Sequence, residues 1–212
     1  MKTAAIIPVK TFTKAKTRLE LSPAKKEKIC EIMLEEILHT LSISPLIDKI
    51  VIVTKDKRAF EISKKFNVFH ILDNEESGVN NAVALADQYL LENGFEISIV
   101  FPQDIPYIKT QDIEFLLKFK TDSNFVIVVP SRRFDGTNAL VRMPIDLMKT
   151  HYDEDSYKIH MSSAKEITRN VSLVFAKRIM LDVDNFEDLQ FLLNQNEKPE
   201  IIKKIRDVLE SK

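Results

Sequence analysis

The sequence predicts an α/β fold, a single domain in which a mostly parallel central sheet is flanked by helices. Short runs of β-branched residues alternate with amphipathic stretches along the chain, and this alternation is typical of βαβ units. Single helical stretches separate the strands, which favours parallel pairing with both faces of the sheet covered. The chain has 212 residues, of which 44% are hydrophobic and 30% charged. Since this length and composition suit one globular unit, residues 1–212 are expected to form one domain.

Seven strands are expected where apolar, β-branched residues are concentrated. They are Ala4 to Val9, Lys49 to Thr54, Val68 to Leu72, Glu96 to Phe101, Phe125 to Pro130, Ala139 to Arg142 and Leu173 to Leu181. In an open sheet of this type, ligands bind outside the carboxyl ends of the strands. The residues that follow each strand are therefore the first candidates for chemistry.

The helices between the strands are indicated by capping residues and by apolar positions at helical spacing. The first begins after Ser22, has Pro23 at its first position, and places Ile29, Met33, Ile37 and Leu41 on one face. The others are expected at Arg58 to Phe66, at Val79 to Asn93 before Gly94, after a Thr110 cap, after an Asn185 cap and, as a C-terminal amphipathic helix, at 196–212. The apolar stripe of this last helix could pack on the core or on a second copy of the chain, which would give a homodimer.

Composition excludes several classes of function. Lys and Arg number 31 and Asp and Glu 32, and this balance argues against a nucleic-acid-binding protein. The single cysteine, Cys30, excludes an intrachain disulfide and a multi-cysteine zinc site, which fits a reducing compartment and predicts a cytoplasmic protein. Because no apolar run approaches the roughly 18 residues of a membrane span, no membrane role is expected.

Motif counts narrow the choice further. The three glycines, Gly78, Gly94 and Gly136, do not combine into a Walker loop or a GxGxxG turn. Any bound phosphate must then be held mainly by side chains or by amides of other residues. The four histidines have no metal-binding spacing, and the GxSxG and cysteine signatures of nucleophilic hydrolases are missing from the sequence.

The connection after the first strand is long and basic. It runs from Lys10 to Leu21, whereas two to six residues are usual in such units. It carries four cationic side chains, those of Lys10, Lys14, Lys16 and Arg18. Cations beside the start of a helix are suited to bind a polyphosphate. The alternative is a solvated basic loop in a lysine-rich protein.

Three aspartates lie near predicted strand ends. Asp104 stands between two prolines after the fourth strand, where it could bind a metal or cap a turn. Asp182 and Asp184 are two residues apart, so in an extended chain both point to one side while Val183 points to the core. Such a pair suits Mg²⁺, which accepts one or two carboxylates together with phosphates and water. The alternative is that Asp184 belongs to a turn and Asp182 pairs with a lysine such as Lys177.

Two polar segments have a specific composition. Gly78 to Asn81 opens the third helix, and Asp135 to Asn138 enters a strand. Asn and Thr side chains at such positions can contact a nucleobase or a phosphate. Turn and cap chemistry is the alternative for both segments.

Taken in order, these segments resemble the 2-phospho-L-lactate guanylyltransferase family of deazaflavin coenzyme biosynthesis. The resemblance is carried by six segments: IPVKTFTKAKTRL at 7–19, GVNNA at 78–82, FPQDIPYI at 101–108, SRRFDGTNAL at 131–140, YDEDSYKIH at 152–160 and LDVDNFEDL at 181–189. It implies a nucleotide-diphospho-sugar-transferase-like domain. It also implies transfer of GMP from GTP to a small phosphorylated acid, namely 2-phospholactate, phosphoenolpyruvate or 3-phosphoglycerate, with release of pyrophosphate.

The resemblance also implies roles for individual residues. Mg²⁺ would be held by Asp104, Asp182 and Asp184. Catalytic roles would fall to Lys10, Lys16, Arg18 and Asp104, and GTP would contact Lys10, Lys16, Arg18, Gly78 and Asn80. The acid would be bound by Thr137, Asn138, Asp153 and Ser156.

The sequence departs from the family where YDEDSY has acids in place of the usual glycines. Asp153 and Asp155 would repel an anionic acid unless they point away, bind metal, or are neutralised by Lys158 or Lys165. Other functions compatible with these residues are a nucleotidyltransferase or glycosyltransferase with another acceptor, and a non-catalytic nucleotide-binding relative. A glycosyltransferase has no pyrophosphate to stabilise, so the basic loop counts against it.

Overall fold

The β-branched runs form one sheet in the computed structural model, which describes residues 1–153 and 155–211. Its seven strands are β1 Thr3–Pro8, β2 Lys49–Thr54, β3 Val68–Leu72, β4 Ile97–Val100, β5 Phe125–Pro130, β6 Thr137–Met143 and β7 Val171–Leu173. Their order is β3-β2-β1-β4-β6-β5-β7. Only β6 is antiparallel to its neighbours β4 and β5, and the other pairs are parallel. The prediction of a mostly parallel sheet is confirmed.

Helices cover both faces of this sheet. Within the described ranges they are α1 Pro23–Ser42, α2 Lys57–Ser63, α3 Val79–Glu92, α4 Thr110–Leu117, α5 Ser156–Ile167, α6 Phe186–Leu193 and α7 Pro199–Glu210. Alternate residues of each buried strand point to opposite faces. In β1, Ala5 and Ile7 join a core with α1, α6 and α7, whereas Ala4 and Ile6 join a second core with α3 and α5. None of these helices is long and apolar enough to cross a membrane.

Most helix ends follow their predicted caps. Ser22 caps α1, and the four predicted apolar positions of that helix are completely buried. Asn185 caps α6, and Gly94 follows α3 with a φ of 70°. The prediction for α4 is wrong by one residue, because Lys109 is its cap and Thr110 is its first helical residue. The Asp112 carboxylate accepts from the Lys109 amide at 2.8 Å, which fixes that start.

Three sequence predictions need correction. Helix α2 ends at Ser63 rather than Phe66. Helix α5 was not predicted, because its buried positions are Ser156, His160 and Ala164, which show no apolar stripe. The last strand is Val171–Leu173, so the predicted strand from Leu173 to Leu181 is wrong beyond Leu173. The chain turns where strand was expected, as the Met180 amide donates to the carbonyl of Ala176 at 3.0 Å.

The C-terminal helix belongs to the core of its own chain. The side chains of Ile201, Ile202 and Ile205 are buried, and α7 packs against α1. The apolar stripe is therefore accounted for within the monomer. The expectation of a homodimer loses this support and stays a prediction.

Candidate active site

The strand order creates a crevice between β1 and β4. Strand β2 lies next to β1 on one side, and β4, which comes later in the chain, lies next to β1 on its other side. Such a reversal leaves an opening at the carboxyl ends of the strands. A cavity of about 340 Å³ lies there. It is lined by residues from β1 and the loop after it, from the start of α3, and from the segment after β4, together with Thr137 and Tyr152.

The basic loop at 9–22 is fixed by contacts to distant segments. The Phe12 side chain is buried, and its amide donates to the Asp56 carboxylate at 2.8 Å. The other Asp56 oxygen caps α2. The Thr11 amide donates to the Glu76 carboxylate at 2.6 Å. These contacts give the loop a defined shape with Lys10, Lys14 and Lys16 in the lining of the cavity.

Lys16 joins the loop to the acidic residues. Its backbone is left-handed, with a φ of 53°, and its side chain is 6% exposed. Nζ donates to Asp104 and, at 2.9 Å, to Oδ1 of Asp184. Burial lowers the pKa of Lys16, but the two carboxylates outweigh burial and hold that pKa above its usual value. The ammonium is therefore charged and shared between two acids that are distant in sequence.

Asp182 and Asp184 lie beside Asp104 because the two segments are hydrogen-bonded. The Val183 amide donates to the Asp104 carbonyl at 3.1 Å, and the Val183 side chain is buried as predicted. Burial and the neighbouring Asp104 raise the pKa of Asp182 to about 7, although Asn138 donates to it at 3.0 Å. Burial alone would raise the pKa of Asp184, yet Lys16 holds it below its usual value. The site thus carries negative charge that one lysine balances in part.

These acids offer carboxylate oxygens to a divalent cation. Within residues 1–153 and 155–211, no group of three His, Cys, Asp or Glu side chains is arranged to hold a metal. The Lys16 ammonium forms an ion pair with Asp184. However, Oδ1 of Asp104 is buried without a hydrogen-bond partner, and burial together with the nearby Asp104 raises the pKa of Asp182. Since Mg²⁺ needs only one or two carboxylates beside phosphate and water, Asp104 and Asp182 fit such an ion.

A chain of hydrogen-bonded polar groups includes Thr137, which lines the cavity. Thr137, Ser156 and His160 are all buried. The Ser156 hydroxyl donates to Oγ1 of Thr137 at 3.1 Å, and Oγ1 also lies 2.9 Å from Nδ1 of His160. Nε2 of His160 accepts from the His151 amide at 2.9 Å. Thr137 lines the cavity, and Ser156 lies behind it.

The acids that replace the usual glycines do not face the cavity as unpaired charges. Asp153 is exposed. Asp155 has a left-handed φ of 54° and accepts from Lys158 at 3.0 Å, with both side chains more than half exposed. Glu154, the remaining acid of YDEDSY, lies outside the described residues. Of the three predicted ways to avoid repulsion, the structure shows neutralisation by Lys158 for Asp155.

The other predicted residues differ in position. Gly78 lines the cavity, and its φ of 113° favours glycine. Asn80 accepts from the Tyr152 amide at 2.8 Å and lines a separate groove. Asn138 lies behind the site, where it donates to Asp182 and to the Ile179 carbonyl, both at 3.0 Å. Arg18 is exposed, and its charge contributes to the lowered pKa of Asp184.

Local sequence patterns do not indicate the contacts that Glu76, Asp188 and His160 make at or near the site. Glu76 lines the cavity and accepts from Lys14 at 2.7 Å. Asp188, in the first turn of α6, binds Arg132 at 2.9 Å and Arg133 at 2.6 Å. His160 was set aside because its spacing suggested no metal site. These contacts join segments far apart in sequence, so local motifs give no signal for them.

Comparisons with known proteins agree with this architecture. The family model described as "Guanylyl transferase CofC like" matches residues 3–210. A phosphoenolpyruvate guanylyltransferase of Conexibacter woesei is 31% identical over 195 residues, which cover 91% of this chain and 87% of that protein. A 2-phospho-L-lactate guanylyltransferase of Methanothermobacter thermautotrophicus is 31% identical over 191 residues, which cover 89% and 83%.

Solved structures show the same fold. A protein of Desulfovibrio desulfuricans G20 assigned as a nucleotide-diphospho-sugar transferase superposes with a TM-score of 0.76. The match covers 98% of this chain and 95% of that one, at 16% identity. The fold expected from the sequence, a nucleotide-diphospho-sugar-transferase-like domain, is confirmed.

Proposed function

We propose, from the premise that the chain belongs to the CofC-like guanylyl transferase family, that it transfers GMP from GTP to a small phosphorylated carboxylic acid in coenzyme biosynthesis. The observation that carries the proposal is the Lys16 ammonium shared by Asp104 and Asp184, since Lys16 and Asp104 both line the strand-end cavity. This arrangement sets cationic and anionic groups side by side. The cationic groups can bind the phosphates of a nucleoside triphosphate, and the anionic groups can bind its metal counterion.

The proposed reaction needs no nucleophile from the protein. A phosphate oxygen of the acid attacks the α-phosphorus of GTP and forms a new P–O bond. The bond between the α-phosphorus and the oxygen that bridges the α- and β-phosphates breaks. Pyrophosphate leaves with that electron pair. The chain contributes positioning and charge neutralisation, which dominate phosphoryl-group transfer in general.

The basic loop is proposed to hold the triphosphate. Lys10 and Lys14 line the cavity, and Lys16 lies deeper with its ammonium on Asp104. Arg18 is exposed near Asp184. As the bond to the leaving group breaks, negative charge grows on pyrophosphate, and these cations stabilise it. A Mg²⁺ ion held by Asp104 and Asp182, with Asp184 as a further ligand, would supply additional positive charge at the phosphates when bound.

The relatives' names point to 2-phospho-L-lactate and phosphoenolpyruvate as acids, and 3-phosphoglycerate is a third candidate. Thr137 is part of the wall of the cavity. We place the phosphorylated acid at this wall. Hydroxyl donors there can bind a carboxylate or a phosphate.

Pyrophosphate release measures the proposed reaction directly. It is expected to be slow with GTP alone and to rise when one of the three acids is added. Cytidine and adenosine triphosphates serve as matched nucleotide controls. A glycosyltransferase would instead consume a nucleotide sugar without releasing pyrophosphate, and a non-catalytic relative would bind GTP without turnover. Failure of every acid with GTP would contradict the proposal.

The proposed acid site at Thr137 predicts a contrast between two variants. Thr137→Val removes one hydroxyl with little change in volume and is expected to raise the KM for the acid roughly tenfold, the scale of one hydrogen bond to a charged group. The KM for GTP should change less than about twofold. Asp153→Gly should leave both KM values near those of the native chain, because Asp153 is exposed. Loss of activity in Asp153→Gly would instead show that this carboxylate contacts the acid.

The proposed cytoplasmic location rests on the single cysteine of the chain. Formation of a homodimer stays a prediction, since α7 packs on α1 of its own chain. Light scattering on the purified chain would give its oligomeric state.

A further inference from the structure

His160, which is buried beside Thr137, has a defined protonation state. Nε2 of His160 accepts the His151 amide at 2.9 Å, so this nitrogen carries no proton. The side chain is completely buried, and burial lowers the pKa of His160 to about 3. The imidazole is therefore neutral near pH 7, and its one proton must be on Nδ1.

This tautomer determines the direction of the next hydrogen bond. With its proton on Nδ1, His160 donates to Oγ1 of Thr137, 2.9 Å away. The Ser156 hydroxyl donates to the same oxygen at 3.1 Å. A hydroxyl oxygen has two acceptor positions and one hydrogen. Since both acceptor positions of Thr137 are filled, its hydrogen must point elsewhere, and Thr137 lines the cavity.

We propose that His160 is a positioning residue that holds the Thr137 hydroxyl as a hydrogen-bond donor toward the phosphorylated acid. The inference rests on the proposed function for the identity of that ligand. The hydroxyl of a threonine can otherwise rotate and either donate or accept. Held by His160 and Ser156, it presents a hydrogen to an anion, which can only accept. His160 touches no substrate and acts through Thr137.

Two replacements separate the two nitrogens of His160. His160→Asn places an amide N–H near the position of Nδ1 and keeps a donor for Thr137. His160→Gln places an amide oxygen near the position of Nε2 and keeps the acceptor for the His151 amide, but it loses the donor. We expect His160→Gln to raise the KM for the acid about tenfold with the KM for GTP within about twofold. In the separate variant His160→Asn, the KM for the acid should stay within about threefold of the native value.

The control variant is His39→Gln, at an exposed position of α1. The inference would be overturned if His160→Asn and His160→Gln raised the KM for the acid equally. It would also be overturned if His160→Gln raised the KM for GTP as much as the KM for the acid. Absence of guanylyl transfer by the native chain with every acid would overturn the proposed function instead.

A measurement without substrate tests the tautomer itself. In the native chain labelled with ¹⁵N-histidine, the His160 signals are identified by their loss in the His160 variants or, if those do not fold, by their proximity to the Thr137 methyl group. They should show a proton on Nδ1 and none on Nε2 at pH 7. A proton on Nε2, or on both nitrogens, would overturn the inference whatever the activity of the enzyme.

Discussion

Replacing Asp104 with asparagine is expected to reduce kcat for guanylyl transfer by about a hundred- to a thousandfold, the scale of losing one preorganised electrostatic contact. The carboxylate accepts from Lys16 through one oxygen, and its other oxygen is buried without a partner. Asparagine has a similar shape but no charge. It therefore weakens both the hold on Lys16 and the proposed site for a divalent cation.

The fold should survive this change. Lys16 keeps its contact with Asp184, and the repulsion between Asp104 and Asp182 that raises the pKa of Asp182 is removed. We expect the free energy of unfolding to change by less than about 2 kcal/mol, below the cost of leaving a buried charge wholly unpaired. Thermal unfolding and kcat, each measured with and without Mg²⁺, check both expectations.

Asp122→Asn is the matched control for Asp104→Asn. Asp122 is exposed in the turn before β5, at the sheet edge opposite the cavity, and its replacement should leave kcat unchanged. Activity of Asp104→Asn within about threefold of the native chain would contradict the proposed role. Full native activity in excess chelator would contradict the proposed metal dependence.

Lys16→Met is expected to impair both stability and activity. It removes the ammonium between Asp104 and Asp184 and leaves these acids, with Asp182 close by, without their cation. Breaking a buried charge pair costs about 3 to 5 kcal/mol. Because Asp184 is 46% exposed, we expect the free energy of unfolding to fall by about 2 to 3 kcal/mol. Loss of the charge beside the phosphates should lower kcat/KM by at least about a hundredfold.

Two comparisons isolate the effect of position. Arg18→Ala removes an exposed cation near Asp184 and should lower kcat/KM by only about tenfold. Lys28→Met removes a lysine that is 59% exposed and paired with Glu31 on the surface of α1. It should change the free energy of unfolding by less than about 1 kcal/mol and leave kcat/KM unchanged. If Lys16→Met unfolds in urea like the native chain and keeps its kcat/KM, the shared ammonium contributes nothing.

A double variant strengthens the test. In Lys16→Met with Asp104→Asn, the uncompensated charge on Asp104 is gone. The double variant should therefore be less destabilised than the sum of the two single variants. Simple addition of the two losses of stability would show that Lys16 and Asp104 are not coupled.

Local signals in the sequence were sufficient for most of the fold. Ser22 and Asn185 cap helices because their side chains accept amides of the first turn. Most β-branched runs formed strands, and the single helices that join β1, β2, β3 and β4 favour the parallel pairing of these strands. Local signals failed for α5, whose buried face carries Ser156 and His160 instead of apolar residues. They also failed after Leu173, where the apolar pattern continues but the strand does not.

The sequence by itself determined the fold class, most of the elements, and the residue types that collect at the carboxyl ends of the strands. Only the tertiary structure decided which of them meet. Lys16 binds Asp104, 88 residues away, and Asp184, 168 residues away, and His160 binds Thr137 across 23 residues. Capping and periodicity act within a few residues along the chain. Ionic and hydrogen-bond partners are set by strand order, which brings distant segments to one edge of the sheet and which no local spacing encodes.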